Sequence, residues 1–392
     1  MAERKQLALI YDYNTGWIGG TYYILNIIKA LKILPDDEKP HLTIFHDNES
    51  PLEDLLKIEY PYLSFTAFNY RMSHLSQIFN TLLLIIGSKK LLTVKLPGEI
   101  ENFYYKSFFV DSSNIQRYYC WIPDLQPLCL PQFYKETERK QQYALFKRMV
   151  KLSEPIVFSS QAALDDFNRF FPKNKNIKKV LRFVSISNTN IDSLSITALK
   201  EKFGIRGDYF MVCNQFWKHK NHRVVLEAFK DIVEDQPSAL LVFTGKEYDY
   251  RDPNYTTDLK AWVAENGLQD NILFLGFIDR DEQLKLMAES IAIIQPSLFE
   301  GWSTVVEDAK LLGKQIICSN IAVHREQLPG SGLFFDPYNK NELARMIKAV
   351  ANNEASFNVA YHHEKAILNF ARGFVDLFEK DLAKPVSMMQ PF

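Results

Sequence analysis

The sequence lacks any apolar run that could cross a membrane. Its strongest apolar window, TLLLIIG at residues 81–87, is far shorter than the ~20 residues that a membrane-spanning helix requires. The N-terminal stretch MAERKQLALIYDYN turns polar after a short apolar run, so we expect no signal peptide. These features predict a cytoplasmic protein, either soluble or peripheral to the inner face of the plasma membrane.

Cysteine is also scarce and shows no metal-binding pattern. The four cysteines of the 392-residue chain have no CxxC or CxxxC spacing, and Cys213 and Cys318 lie in apolar runs typical of a core. This pattern favours a reducing compartment. The chain has no HExxH motif, Cys/His cluster, P-loop or GxSxG elbow, so we expect no metal and no cofactor. A single DxD motif, at Asp279 and Asp281, is interpreted as a helix N-cap.

The charge is nearly balanced overall but is distributed unevenly. Residues 1–190 carry 24 Lys and Arg against 19 Asp and Glu, whereas the remainder carries 22 against 28. Residues 135–182 alone hold 12 basic and 5 acidic side chains. Such a segment is either a solvated helical face or a surface that attracts an anionic membrane or an anionic acceptor.

What the sequence has in abundance is apolar runs of strand length that alternate with amphipathic helical patterns. Hydrophobic residues make up 47% of the chain and aromatic residues 14%, which indicates a globular protein. The alternation occurs in two series, which predicts an α/β protein with two facing Rossmann-like, doubly wound parallel-sheet domains and a cleft between them. We expect the domains at residues 1–185 and 186–370, with a C-terminal helix and tail at 371–392 crossing back to the first domain.

One strand-loop-helix junction stands out, in PSLFEGWSTVVEDAKLLG (residues 296–313). An apolar run precedes it, and apolar residues then recur at helical spacing. Ligands of open α/β sheets bind beyond the carboxyl ends of the strands, where a helix N-terminus attracts anions. Gly301, Trp302, Ser303 and Thr304 should therefore face a phosphate, leaving the acidic residues to bind sugar hydroxyls. Alternatively, Glu300 and Asp308 only complement the helix dipole and solvate the surface.

Three further strand-to-helix junctions lie at the carboxyl ends of predicted strands, at the edges of the sheets where ligands bind. Lys220, in NQFWKHKNH, directly precedes a helix that we expect to begin near Asn221, where its ammonium group would complement bound phosphates. Gly19 and Gly20 follow the first strand, either in a tight turn that needs positive φ or near a ligand. Asp124, in WIPDLQP, either turns into the cleft or caps the next helix.

Taken in order, these segments resemble family 4 glycosyltransferases over most of the chain. The family adopts the GT-B architecture of two Rossmann-like domains and retains the anomeric configuration without a metal. Its mark is a Glu, seven residues, a second Glu, an Ala and a Gly, and the segment from Glu300 through Ala309 to Gly313 follows it, with Asp308 at the second acidic position.

The resemblance implies a role for each matching residue. Glu300 would bind the donor sugar and Asp308 the ribose, although Glu307 is an alternative that helical geometry turns about 100° away. Lys220 and Gln215 would contact the diphosphate; the family usually has Arg where this chain has Gln215. Asp124 matches an acceptor-side Asp, but Pro123 replaces the preceding His found in many members. The resemblance also includes the loops that contain Gly19, Gly20 and Phe277. We expect these three residues to contact the donor as well.

We therefore predict a retaining hexosyltransferase that is independent of metal. Glu300, Lys220 and Asp124 are the predicted catalytic residues, and the donor is a nucleotide sugar, with GDP-mannose favoured by similarity to mannosyl-transferring relatives. The acceptor would be a glycan or a lipid-linked glycan in bacterial surface polysaccharide biosynthesis, and nucleic acid is not an expected partner. The alternatives are a GT-B sugar epimerase or phosphorylase, and a non-catalytic subunit that binds sugar nucleotides.

Overall fold

The computed structural model describes residues 4–14, 16, 18–69, 72–85, 91–105, 109–187, 191–330, 332–355 and 361–379. These residues form two compact units, which we call unit 1 and unit 2. Unit 1 comprises residues 1–131, 135–186 and the chain from Glu364 onward, and unit 2 comprises residues 132–134 and 187–363. The domain limits expected at residues 185 and 370 stay predictions, and residues 380–392 of the helix and tail predicted at 371–392 lie outside the described residues.

Unit 1 is built on a parallel sheet with the strand order β3-β2-β1-β5-β7-β8-β9, beside a separate pair β4-β6. The strands are β1 (Gln6–Tyr11), β2 (His41–His46), β3 (Leu63–Ala67), β4 (Val94–Lys95), β5 (Ile100–Tyr104), β6 (Val110–Asp111), β7 (Ile115–Ile122), β8 (Ile156–Phe158) and β9 (Lys178–Val180). Its helices are α1 (Ile18–Ile33), α2 (Glu53–Leu56), α3 (His74–Ile85), α4 (Gln126–Cys129), α5 (Glu136–Lys151), α6 (Gln161–Phe170) and α14 (His363–Asp376), the last assigned to unit 1 from Glu364.

Unit 2 contains a second parallel sheet, with the order β12-β11-β10-β13-β14-β15. Its strands are β10 (Tyr209–Cys213), β11 (Leu240–Thr244), β12 (Ile272–Phe274), β13 (Ile293–Gln295), β14 (Ile316–Ser319) and β15 (Leu333–Phe335). Its helices are α7 (Ile196–Phe203), α8 (His222–Asp235), α9 (Tyr255–Glu265), α10 (Arg280–Glu289), α11 (Thr304–Leu311), α12 (Ala322–Gln327) and α13 (Lys340–Ala351).

Burial explains why these strands read as continuous apolar runs. Every residue of β10, β11, β13 and β14 is buried, because helices cover both faces of a parallel sheet. The order of unit 2 also reverses direction at β10, which lies between β11 and β13. In an open α/β sheet, such a switch point leaves a crevice beyond the carboxyl ends of the central strands.

The α/β expectation is confirmed, but some strands of unit 1 were missed. Sequence patterns did not indicate β3 or β5, whose runs LSFTA and IENFY contain polar residues between the apolar ones. The apolar run SFFVD at 107–111 is typical of a strand in the sequence, but in the structure it contributes only β6 to the small pair β4-β6, with residues 107 and 108 outside the described part. Short mixed runs lack a distinct period, so only their neighbours in the sheet define them.

The four cysteines form no disulfide bond. All four cysteines are free thiols, and Cys120, Cys213 and Cys318 are buried. Among the described residues, no helix combines the length and the apolar character that spanning a membrane would need.

Gly245, which directly follows β11, lies against the backbone of the neighbouring strand exit. Its φ is 143°, and a Cβ built on it would lie 2.0 Å from the carbonyl oxygen of Asn214. No side chain fits at that separation, since contacts below 3.0 Å do not occur for real Cβ atoms. The glycine therefore allows the segments that leave β10 and β11 to approach each other closely.

We expect Gly245→Ala to lower the thermal unfolding midpoint by about 6 °C or more, equivalent to about 3 kcal/mol, because the backbone must separate. Gly207→Ala is the matched control in the same unit: its Cβ would lie 3.7 Å from Leu240, an ordinary contact. Calorimetry on both variants checks this, and equal midpoints would show that the close approach is not a constraint.

Candidate functional site

Unit 2 gathers its predicted site residues at the carboxyl ends of β10 and β13. Gln215 and Lys220 follow β10, whereas Glu300 to Thr304 follow β13 and open helix α11. Because β10 and β13 are hydrogen-bonded neighbours, their exit loops lie side by side. The predicted junctions at Lys220 and Glu300 thus form one site.

A buried amide side chain connects the two loops. Gln295, the last residue of β13, is fully buried, and its Oε1 accepts a hydrogen bond from Asn214 Nδ2 at 2.7 Å. Its Nε2 donates to Glu300 Oε1 at 2.9 Å and to Ser303 Oγ at 3.0 Å. A buried amide is costly unless its donors and acceptor are satisfied, so these bonds fix the carboxylate of Glu300 relative to the end of β10.

Lys220 and Glu300 form an ion pair that is largely shielded from solvent. The Nζ of Lys220 lies 2.5 Å from Glu300 Oε1, and their side chains are 14% and 10% exposed. At this exposure, water and salt screen the two charges only weakly. The site therefore presents a cation and an anion close to each other.

Backbone bonds between the loops keep this pair in position. Leu298 N donates to the carbonyl of His219 at 2.8 Å, and the Nδ2 of Asn221 donates to the carbonyls of Pro296 and Pro337 at 3.2 and 2.8 Å. Asn221 precedes α8 as predicted, but its side chain makes no capping bond to that helix. It adopts a left-handed φ of 58°, which Asn tolerates, and its amide serves the neighbouring loop instead.

The N-terminus of α11 is held from two sides. Ser303 is its N-cap and accepts from Val306 N, while Gln327 accepts from Ser303 N and donates to the Ser303 carbonyl, both at 3.0 Å. Trp302 is 9% exposed and Ser303 is 2% exposed. The start of the helix that was expected to face a phosphate is thus rigidly placed beside Glu300.

Asp308 lies one turn inside α11 and is occupied by a basic partner. Its two carboxylate oxygens accept from Arg280 at 2.8 and 2.5 Å, and its side chain is 2% exposed against 25% for Arg280. Arg280 also donates to Gln283 Oε1 at 3.2 Å, and Gln283 donates to Thr244 Oγ1 at 3.1 Å, at the end of β11. The more exposed group at this position is therefore the guanidinium.

Glu307 points away from Asp308, as its helical position predicts. Its carboxylate accepts from Lys310 Nζ at 2.9 and 3.0 Å and from Gln327 Nε2 at 3.0 Å. Burial raises the pKa of Glu307 above its ordinary value, with Lys310 opposing that shift. The residue supports the packing of α11 against α12, and the assignment of the ribose to Asp308 stays a prediction.

The DxD motif is a helix cap, as expected. Asp279 precedes α10 and accepts from the backbone N–H groups of Asp281 and Glu282. Phe277, just before it, is 57% exposed, and its predicted contact with the donor stays a prediction. Among the described residues, no group of three or more His, Cys, Asp or Glu side chains could hold a metal ion.

Unit 1 carries the remaining predicted residues, at the carboxyl ends of β1 and β7. Gly19 and Gly20 lie in the first turn of α1 and have no positive φ, so the tight-turn interpretation was wrong. The Oγ1 of Thr21 donates to the carbonyl of Asp12 and accepts from Asn14 N, which joins these two residues to the start of α1. Asp124 accepts from Gln126 N at 2.8 Å, at the start of α4.

Three buried histidines lie around the site of unit 2. Burial lowers the pKa of His219 well below its ordinary value, that of His222 to about 3 and that of His324 to about 4. The Nδ1 of His324 lies 2.9 Å from the Ser319 carbonyl, and the charges of Glu300 and Lys220 act on its ring in opposite directions. These rings are neutral packing elements behind the ion pair at neutral pH.

Sequence reasoning missed the residues that support the site. Gln295, Asn214, Arg280 and Gln327 hold the predicted residues in place, and Gly245 allows the strand exits to approach. Gln295 and Asn214 had a visible signal, since each is a polar residue that ends a buried apolar run. Arg280 and Gln327 had none, because their partners are distant in sequence.

Residues 195–366 match the family model described as "Glycosyl transferases group 1". The match spans nearly all of unit 2, including both loops of the site. It confirms the resemblance to family 4 glycosyltransferases that the motif around Glu300 indicated.

Curated relatives are similar over parts of the chain. The O-antigen chain mannosyltransferase RfbU of Salmonella typhimurium is 22% identical over 58% of this chain and 59% of its own length. The O-antigen chain mannosyltransferase B of Escherichia coli is 27% identical over 30% of each chain. The alignments therefore span less than two thirds of these relatives.

Solved structures share the fold over almost the whole chain. HepE of Anabaena, solved with UDP and glucose, aligns with a TM-score of 0.61 at 13% identity, covering 96% of each chain. WaaG, a glycosyltransferase of lipopolysaccharide biosynthesis, gives 0.59 at 12% identity over 96% of each chain. The chain has the GT-B fold, as predicted.

His324 makes the stability of the protein depend on pH in a defined direction. Its folded pKa of about 4 is below the ordinary value of 6.5, so the unfolded chain takes up a proton that the folded chain does not. The contribution is complete above about pH 6.5 and is lost as the pH falls towards 4, by at most about 1.4 kcal/mol per pH unit. His324→Asn, which keeps a donor for Ser319, should flatten the decline between pH 6 and pH 5 by that amount. Urea unfolding at several pH values checks this, and parallel curves for both proteins would contradict it.

Proposed function

We propose that the protein is a retaining glycosyltransferase that transfers a sugar from a nucleoside-diphosphate donor, without a metal ion, to a hydroxyl of a glycan or lipid-linked acceptor. The observation that carries the proposal is the shielded Lys220–Glu300 pair beside the N-terminus of α11. A diphosphate and a sugar together need a cation, backbone donors and an acceptor of hydroxyl hydrogens within a few ångströms, and these groups meet that need.

The finer assignment is mannose from GDP-mannose, in bacterial surface polysaccharide biosynthesis. Its support is that both relatives described above are named as O-antigen mannosyltransferases, while the HepE structure, which shares only the fold, contains UDP and glucose. We expect the guanine base on these grounds and treat UDP-glucose as the competing donor. The predicted cytoplasmic location, at the inner face of the plasma membrane, is part of this proposal.

Cleavage of the glycosyl-phosphate bond leaves negative charge on the diphosphate and positive charge on the sugar ring. The ammonium of Lys220 and the N-terminus of α11 are fixed before the reaction, so they stabilise the leaving group at little cost in reorganisation. Gln215 adds uncharged hydrogen-bond donors where the family usually has Arg. An acceptor hydroxyl attacks from the face that the diphosphate leaves, which retains the configuration, and its proton passes to the departing phosphate oxygen. Asp124 is the proposed acceptor-side group.

The ion pair gives Glu300 two opposing effects on the donor. Before binding, Glu300 neutralises Lys220 and competes with the diphosphate for its ammonium group. After binding, it accepts hydrogen bonds from the sugar hydroxyls, and Gln295 keeps it aligned for this purpose. Glu300 thus opposes binding of the bare nucleotide and favours binding of the complete donor.

This arrangement predicts opposite responses from the two partners. Lys220→Met should weaken binding of the nucleoside diphosphate by about 10- to 100-fold, the usual loss for a charge-assisted hydrogen bond. Glu300→Gln should leave that binding unchanged or stronger, because the ammonium is released, yet abolish the additional stabilisation by the sugar. Thermal unfolding with GDP, UDP and their sugars measures both, since ligand at about 100 times its Kd adds about 2.7 kcal/mol.

Lys218→Met is the matched control. This lysine lies in the same loop, but its Nζ pairs with Asp252 at 2.9 Å and its side chain is 54% exposed. Its removal should leave all nucleotide shifts unchanged. If no nucleotide stabilises the wild-type protein, or if Lys218→Met and Lys220→Met behave alike, the proposed donor site is wrong.

Turnover separates transfer from the alternatives. With a glycan or lipid-linked acceptor, we expect release of nucleoside diphosphate and a product with the anomeric configuration of the donor, and Glu300→Gln should reduce kcat by at least about 100-fold. Incubation of the nucleotide sugar alone should leave it unchanged. Epimerised nucleotide sugar in that incubation would identify an epimerase instead, and donor binding without any turnover would favour a non-catalytic subunit.

A further inference from the structure

Helix α3 in unit 1 presents a row of large apolar side chains to solvent. Leu75, Ile78, Phe79 and Leu82 are 78%, 50%, 51% and 55% exposed. Their spacing of three, four and seven residues places them on one face of the helix. Single exposed apolar residues are common, but four large ones on one helical face mark an interaction surface.

The opposite side of α3 is firmly anchored, so the exposed face is not a consequence of loose packing. Asn80 is 1% exposed and exchanges two hydrogen bonds with the backbone of Leu92, at 2.9 and 2.8 Å. Leu84 is 6% exposed. The helix therefore has a defined orientation with its apolar face, defined by Leu75, Ile78, Phe79 and Leu82, directed outward.

Helix α5 lies beside α3 and presents basic side chains. Gln141 of α5 donates to Thr81 of α3 at 3.3 Å, which fixes the two helices next to each other. Lys140, Lys147 and Lys151 recur at helical spacing and are exposed. Lys140 pairs with Glu136 at 2.6 Å, whereas Lys147 and Lys151 have no ion pair with any residue that the structure describes. We call these three lysines the basic face of α5.

We propose that the apolar face of α3 and the basic face of α5 together form a docking surface for an anionic lipid bilayer. α3 has only 12 residues, so it would lie in the plane of the interface. Its apolar face would then lie among the headgroups and upper acyl chains. The lysines beside it would contact anionic headgroups, each contributing electrostatic attraction near the surface.

The charge distribution favours a bilayer over a second copy of this chain. In a symmetric dimer through this surface, the basic faces of both copies would lie close together, and like charges repel. A bilayer satisfies both parts of the surface at once, because apolar chains and anionic headgroups lie at adjacent depths. The proposal rests on unit 1 alone and does not depend on the donor site of unit 2.

Vesicle binding of the full chain tests the proposal. Purified protein is sedimented with vesicles of phosphatidylcholine alone or of phosphatidylcholine mixed with phosphatidylglycerol, at low and high salt. We expect binding to the mixed vesicles only, reduced by added salt. Leu75→Gln and Leu82→Gln should each lower the partition coefficient about tenfold, since each variant removes one apolar side chain from the acyl-chain boundary. The double variant Lys147→Gln, Lys151→Gln should also have a lower partition coefficient than the wild type, and most of the salt dependence of its binding should be lost.

Tyr338→Gln is the control for loss of an exposed apolar side chain, since Tyr338 is 77% exposed in unit 2, and it should bind vesicles like the wild type. The thermal unfolding midpoints of the leucine variants without ligand should equal that of the wild type, which shows that they are folded. The proposal would be overturned if the wild type did not bind mixed vesicles. It would also be overturned if the leucine variants bound them as strongly as the wild type does. A dimer in solution that Leu82→Gln dissociates would overturn it too, because the second copy would then cover the face.

Discussion

The geometry of the site in unit 2 depends on the burial of one amide, that of Gln295. A buried amide without partners costs about 1–3 kcal/mol for each unsatisfied group, so the segments around it must supply an acceptor and donors. Asn214 supplies the donor from the end of β10, and Glu300 and Ser303 supply acceptors from the loop before α11. Satisfying this side chain therefore aligns two strand exits, a helix start and the carboxylate that pairs with Lys220.

The hydrogen bonds of Gln295 also explain how the ion pair between Lys220 and Glu300 can be stable at the position where we propose that the donor binds. Shielded charges are stable only when they are paired or hydrogen-bonded, and Glu300 has both Lys220 and Gln295. A diphosphate can replace Glu300 as the partner of Lys220, and sugar hydroxyls can replace Lys220 as partners of Glu300. In the proposed function, the donor would exchange internal interactions for equivalent ones, which would make the complete donor a better ligand than its nucleotide portion.

The basic residues of the two units have different proposed roles. In unit 2, the basic groups of the site, Lys220 and Arg280, are held by acidic partners and face a defined site. In unit 1, the basic face of α5 is spread over an exposed helix beside apolar side chains. A discrete polar ligand suits the first arrangement and an extended anionic surface suits the second. The excess of basic residues at 135–182, visible in the sequence, acquires a specific meaning only once α3 is seen beside α5.

The sequence alone determined the fold class, because the alternation of apolar runs and helical patterns is local and was confirmed by both sheets. It also placed the Asp279 cap and the loop that carries Glu300, since strand ends, turns and first helical turns are defined by neighbouring residues. It missed β3 and β5, whose mixed runs become strands only through pairing, and it left open a tight turn at Gly19 that the backbone excludes. Tertiary structure decided the partners: Lys220 meets Glu300 across 80 positions, and Arg280 meets Asp308 across 28. The exposure of α3 was likewise hidden, because an amphipathic pattern shows which residues share a face but not whether that face is covered; only the packing of distant segments settles that.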